Sequence, residues 1–339
     1  MDVQPVQSAS PQVTTMRAIV QARYGEAHEV LRPGRVAVPS VPDDGVLVRV
    51  HSAGVDRGAW HLMAGVPYPV RLSGFGVRRP KAPVRGREFA GTVVAVGETC
   101  GGLAVGDEVF GIAEGCFAEF VAATPAKIRR KPASLSFEQA AALPISGITA
   151  LQAVRDKGKV GRGTKALIIG ASGGVGTFAV QIATALGAHV TGVCSTAKVD
   201  LVRSIGADHV IDYTESDIDD GGNRYDVIID TGGNRTLRQL RRALEPKGTL
   251  VVVGGETDGR ILAGVDRQLR ALLLSPLVSQ RLTTLVAAED WRNLEALVDL
   301  TEAGSVTPVI DRSYPLDETA DAITHMQEGR ARGKLVVTI

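Results

Sequence analysis

Cysteine, aromatic residues, charge imbalance and long apolar runs are all scarce in this chain, and each shortage removes a class of protein. The three cysteines, Cys100, Cys116 and Cys194, are odd in number and far apart, so a reducing, cytoplasmic setting is expected and a disulfide framework is not. Thirty-eight Lys plus Arg against 37 Asp plus Glu give a net charge of +1, which supplies no field for nucleic acid or an anionic membrane. No stretch approaches the ~20 apolar residues of a membrane span. The first fifteen residues lack the basic start and apolar centre of a secretory signal. What remains is a globular composition, 44% hydrophobic and 22% charged, in a chain of 339 residues, long enough for two cores.

The stretch Lys165–Val193 organises the rest. Ala166–Ile169 is a short apolar run of the kind that forms a buried parallel strand, and Gly174–Leu186 places Val175, Phe178, Ala179, Ile182, Ala183 and Leu186 at helical spacing. A second apolar strand follows, ending at Val193. Between the first strand and the helix lies Gly170-Ala171-Ser172-Gly173-Gly174-Val175-Gly176. Aligned to G-x-G-x-x-G, it puts Ala171 at the tight turn, Gly173 at the close approach and Gly176 at the helix-packing position. A pyrophosphate reaches the backbone N–H groups of a helix start only where no Cβ stands in the way.

Met1–Thr15 is rich in Gln, Ser, Thr and Pro without periodicity and reads as a flexible tail. From Met16 to about Ala123 the pattern is of short β-branched segments, at 18–21, 35–38, 46–52, 91–96, 108–111 and 117–122, separated by turn residues. This half predicts an irregular β-barrel or sandwich. At Ser136-Phe-Glu-Gln139 a capped helix start opens a different pattern. Beyond it helices alternate with strands ending in small residues, which predicts a doubly wound parallel sheet with its ligand crevice at the carboxyl edge. The segment Lys334–Ile339 is a last strand, free to return to the first domain.

Pieces spread over nearly the whole chain from Met16 carry a resemblance. They include MRAIV, Tyr24-Gly25, VHSAGV at 50–55, G-x-E-F-A-G-T-V within 86–96, VGDEVF at 105–110, GASGGVG, IGADHVIDY at 205–213, Asp230–Gly233 and Gly333-Lys334-Leu-Val-Val. Together they resemble the medium-chain dehydrogenase/reductase superfamily, in its zinc-independent, quinone-oxidoreductase-like branch. The resemblance implies a GroES-like catalytic domain at 16–135 and 306–339, a Rossmann domain at 136–305, a cofactor and substrate cleft between them, and a homodimer.

An NAD site usually ends its second strand in a carboxylate that bonds the ribose hydroxyls. Here that strand ends Val193-Cys194-Ser195-Thr196-Ala197-Lys198, with Asp200 further along as the nearest acid. Ser195 and Lys198 suit the 2′-phosphate of NADPH, and the resemblance places Tyr213 beside them. It also places Thr149 near the nicotinamide-side phosphate, with Gly147 allowing close approach, and makes Lys334 a cofactor-binding position. Gly232, Gly233, Gly254 and Gly255 end successive strands where the nicotinamide ribose is expected.

The zinc-dependent relatives take a Cys from the segment matching Gly54–Ala59 and a His from G-H-E. This chain has Asp56 and no Cys in the first, and Gly86-Arg87-Glu88 for the second. Without a metal, a quinone or enone is the easier acceptor because its charge spreads as hydride arrives. Tyr24 and Asp56 are the candidate polar groups there, against a strand-end tyrosine and a turn aspartate. Six cations, Arg71, Arg78, Arg79, Lys81, Arg85 and Arg87, make 70–87 a basic loop that either attracts an anionic substrate or is simply solvated. The expected function is reduction of a quinone or α,β-unsaturated carbonyl by NADPH. A carbonyl reductase or alcohol dehydrogenase, and an NADPH-binding protein with little turnover, are the alternatives.

Overall fold

The structure, a computed structural model, describes residues 14–220, 222–233, 235–254 and 264–339. Most of the N-terminal tail and Gly255 lie outside the described residues.

Six parallel strands form one sheet, in the order His209–Asp212, His189–Cys194, Lys165–Ile169, Tyr225–Asp230, Leu244–Val252, Arg281–Thr284. The chain reverses its direction of travel between Lys165–Ile169 and Tyr225–Asp230, and a doubly wound sheet opens its crevice at that point. Both faces of the sheet are covered. Ala166 and Ile168 pack with Phe178 and Ile182 on one side, while Leu167 and Ile169 pack with Leu240 and Leu250 on the other. The unbroken apolar run therefore follows from burial on two sides, where a half-exposed strand would alternate.

The second sheet runs Ile310–Pro315, Lys334–Thr338, Val46–Val55, Glu88–Val96, Glu108–Ile112, Ile128–Arg130, with Phe120–Ala123 also pairing to Val46–Val55. Val46, Val48 and Val50 point inward and Arg49 outward. The strand does not stop at Ser52, as its alternation predicts. A register shift between Val50 and Ser52 carries it on to Val55, antiparallel to Glu88–Val96 on one flank and Lys334–Thr338 on the other. The architecture is thus a GroES-like β domain joined to a parallel-sheet Rossmann domain.

Ser136 accepts from the Gln139 backbone N–H while Gln139 returns a bond to Ser136 N, closing the capping box that starts Phe137–Ala142. Other elements had no clear signature. The helix Arg57–Ala64 contains Gly58, which masks its spacing, yet Asp56 caps it through a 3.1 Å bond from Ala59 N. Val265–Leu274 and Arg281–Thr284 are likewise additions, the helix leaving Leu269, Leu272 and Leu273 exposed.

Candidate active site

The chain turns from the strand Lys165–Ile169 into the helix Gly174–Ala185 at Gly170, which has φ +78°. A Cβ there would also lie 2.5 Å from Thr231 Oγ1. The alignment that gave the tight turn to Ala171 is therefore one residue late, because Gly170 alone adopts the left-handed backbone. Ala171 instead donates its N–H to Val193 O at 3.0 Å, tying the loop to the second strand. Gly176 faces Gly170, where a Cβ would come within 2.0 Å of the carbonyl oxygen. Around Gly173 the space is open apart from Gly170 O at 3.3 Å. No side chain caps this 12-residue helix. Its first-turn N–H groups, at Gly174, Val175 and Gly176, fit a pyrophosphate.

Across the sheet edge, Asp212 pairs in register with Cys194, and Tyr213 N donates to Cys194 O at 3.0 Å. Ser195 and Tyr213 thus leave adjacent strand ends side by side, with the Tyr213 ring 53% exposed. Lys198 is half-buried, and burial pulls its pKa down. Its ammonium donates to Gly329 O at 2.9 Å and Ala331 O at 2.8 Å. Asp200 faces solvent, and the acid paired in register with the end of the second strand is Asp212. Its carboxylate accepts from Thr214 N and Oγ1 and is held below the usual carboxylate range, first by a hydrogen bond from Thr196. The sequence reading passed over it because it ends the third strand, while the second was searched.

At the crevice, buried Asp230 accepts from the N–H groups of Gly232 and Gly233, each at 3.1 Å, and pairs with Arg267 Nη2. The Asp230 carbonyl also receives Gly254 N at 3.2 Å. Asp230 therefore fixes Gly232 through its carboxylate and Gly254 through its backbone carbonyl, and Arg267, from a helix without a sequence signature, holds the carboxylate.

The two domains meet over a patch of charge. Glu88 and Lys334, both fully buried, pair at 2.5 Å; Lys334 Nζ also donates to Val55 O at 3.0 Å, and Glu88 Oε2 accepts from Ile145 N at 2.8 Å. Burial raises the Glu88 pKa against the pull of Lys334. The Lys334 stem passes under the glycine loop, 3.1 Å from where a Gly174 Cβ would stand, and Gly333 N donates to Ser172 O at 2.8 Å. Lys334 thus supports the loop from below. Its buried ammonium donates to Glu88 and Val55.

Thr149 sits on the helix Pro144–Leu151, its hydroxyl bonded to Ile145 O at 2.7 Å. Gly147 faces Leu297, so its missing Cβ serves helix packing. Tyr24 donates to Gly76 O at 2.5 Å and Phe75 O at 3.1 Å, bracing the 66–81 loop, with Arg71 stacked on its ring at 4.5 Å. The basic loop is largely committed: Arg71 also bonds Gly65 O, Arg85 is buried against Ala82 O, and Arg87 pairs with Glu289. Arg78, Arg79 and Lys81 face solvent.

Asp56 is only 5% exposed, and its Oδ2 has no hydrogen-bond partner; neither has buried Trp60 Nε1, one helical turn on. Arg87 lies next to Asp56. Burial alone would lower its pKa, but the Asp56 and Glu289 carboxylates outweigh that and leave it raised. A guanidinium where the G-H-E pattern has a ligand does not fit zinc. Among the described residues no group of three His, Cys, Asp or Glu could hold a metal, and no helix is long and apolar enough to cross a membrane.

Comparison with known proteins adds the following. Residues 42–133 match the alcohol dehydrogenase GroES-like domain, and residues 205–337 match the zinc-binding dehydrogenase family. The mouse protein named NAD(P)H oxidoreductase RTN4IP1, mitochondrial, is 32% identical over 98% of this chain and 92% of its own. A tomato 2-methylene-furan-3-one reductase is 31% identical over 95% of this chain and 79% of its own. The solved quinone oxidoreductase from Coxiella burnetii superposes with a TM-score of 0.81 at 28% identity, covering 96% of this chain and 99% of that one.

Proposed function

The chain belongs to the medium-chain dehydrogenase/reductase superfamily, in its zinc-independent, quinone-oxidoreductase-like branch, and from that premise we propose that it reduces quinones or α,β-unsaturated carbonyls with NADPH. Membership makes it an oxidoreductase with a nicotinamide cofactor. The observation that carries the finer reading is the pairing of an uncapped, glycine-lined helix start with a second strand, His189–Cys194, whose end is followed by Ser195 and Lys198 and bonded by Tyr213 N.

In this reading the N–H groups of Gly174, Val175 and Gly176 hold the pyrophosphate, with Ala171, Ser172 and Gly173 shaping the loop and leaving room for its approach. Ser195, Lys198 and Tyr213 receive the 2′-phosphate; the ammonium, already on two carbonyls, has a third proton to offer. Thr149 faces the nicotinamide side, and Gly232 and Gly254 line the edge where its ribose lies. Asp56 orients the reacting end through its unpartnered oxygen, and Tyr24 keeps the overlying loop in place. The cofactor supplies the hydride. The protein's own share is alignment, exclusion of water and stabilisation of charge on the acceptor.

Relatives named as an enone-type furanone reductase and a quinone oxidoreductase support the substrate class. Two units, 16–135 with 306–339 and 136–305, a homodimer and a cytoplasmic location complete the proposal. The test is oxidation of NADPH and NADH against a panel of quinones, enones, aldehydes and secondary alcohols. Reduction of the first two, faster with NADPH, is the expected result. Preference for simple carbonyls or alcohols returns the alcohol-dehydrogenase reading, and tight NADPH binding without turnover returns the binding-protein reading.

A further inference from the structure

We propose that Arg87 is the electrophile of the site, its guanidinium meeting the oxygen on which negative charge gathers as the acceptor is reduced. The inference rests on the reductase reading. When an enone takes up hydride, two electrons and one proton arrive at its β-carbon, the conjugated π pairs shift, and a pair comes to rest on oxygen. The nicotinamide is oxidised in the same step, and a solvent proton later completes the product. For a quinone the charge arrives as a phenolate. A hydrogen-bond donor placed at that oxygen stabilises the charge as it forms.

The other donors near the patch are engaged. Lys334 is sealed against Glu88 and Val55, and the Tyr24 proton is given to the 75–76 carbonyls. Arg87 differs: its side chain is 24% exposed, and only Nη2 donates, to Glu289. Among the described residues Nε and Nη1 have no acceptor. Nη1 stands 2.9 Å from the point a Gly58 Cβ would occupy, and Asp56 Oδ1 stands 2.7 Å from that same point. A cation and a carboxylate therefore flank a gap that glycine keeps open. Asp56 Oδ2 and Trp60 Nε1, both buried and unpartnered, lie at the same end of the helix Arg57–Ala64. Unsatisfied polar atoms clustered this way call for ligand atoms that complete them.

The location agrees with the chemistry. Arg87 is one residue from Glu88, which reaches Lys334 beneath the glycine loop, so the guanidinium belongs to the interface that also supports the dinucleotide cradle. Its anchor Glu289 comes from the Rossmann domain, just before the helix Trp291–Glu302, and Arg87 itself from the β domain. The group is in place only when the two domains are together.

The test uses para-nitrophenolate, a coloured aromatic oxyanion, titrated into the intact protein with NADP⁺ present, alongside the kinetic panel. The wild type is expected to bind the phenolate about 10- to 100-fold more tightly than the neutral phenol, so that the yellow band of the bound probe persists to lower pH than in water. Arg87→Met removes that preference and lowers kcat by about 10²- to 10³-fold, with NADP⁺ affinity kept. Arg87→Lys restores part of both, and Glu289→Gln gives a smaller loss of the same kind. A wild type that does not distinguish phenolate from phenol, or an Arg87→Met protein that still does, overturns the proposal. If an Arg87-dependent phenolate preference is found but no enone or quinone is reduced, the oxyanion site stands and the reductase reading falls. Turnover indifferent to Arg87 does the reverse.

Discussion

In the glycine loop, proposed to cradle the dinucleotide, what is offered is backbone, and side chains matter mostly by being absent; in the interdomain patch it is charged side chains that the backbone only delivers. The cradle is contiguous, from Gly170 to Gly176. The patch joins Glu88 to Lys334 across 246 positions and Arg87 to Glu289 across 202. A site made of N–H groups leaves its record in local sequence, as glycines that cannot be replaced. A site made of paired charges leaves none until the fold brings the partners together.

The largest effect that tests this contrast is Gly176→Val. With the Cβ position 2.0 Å from Gly170 O, the helix cannot keep its approach to the strand, and a fluorescence titration should find no measurable NADPH binding. Near-normal binding would show that the cradle does not depend on that approach. Next is Lys334→Met, which strands the Glu88 carboxylate in the interior; breaking such a pair costs about 3–5 kcal/mol, read from urea unfolding. A loss under ~1 kcal/mol, as for a surface pair, would remove the pair from any central place in the interface.

Lys198→Ala comes third and bears on the cradle alone, weakening NADPH by about 10-fold and NADH far less. Equal weakening of the two would mean that the lysine serves only the Gly329 and Ala331 carbonyls. The smallest effect belongs to His51, on the strand that leads to Asp56. Burial, then Arg49, lowers its pKa from 6.5. The folded state resists a proton that the unfolded chain accepts, so its contribution is present above pH 6.5 and is lost as pH falls through the lower folded value. His51→Gln should flatten this acid limb when urea midpoints are compared across that window, and identical limbs would refute it.

Those contrasts match what could be read in advance. The parallel sheet, the capping box at Ser136 and the glycine turn are local patterns, and the Rossmann fold was legible from them; the β domain was legible only as a barrel or sandwich until the family resemblance named it GroES-like. The turn slipped by one residue because Gly170 and Ala171 both fit a loose motif, and only the backbone angle separates them. Asp212 was missed because register, not spacing, sets it beside Cys194. The pairing of Lys334 with Glu88 was not legible. The lysine's buried position follows from a strand, Lys334–Thr338, whose place between two others is decided by long-range pairing.

That last strand also sets an order of assembly. Leu335–Thr338 pairs with Ser52–Val55, and the residues between them contain the whole six-stranded sheet. During synthesis, therefore, the Rossmann sheet can close as a unit while one flank of Val46–Val55 still waits for its partner and Glu88 has no counter-charge. The β domain is begun before the Rossmann sheet and completed after it. Lys334 can take its place beneath the glycine loop and against Glu88 only after the residues of that loop have been made.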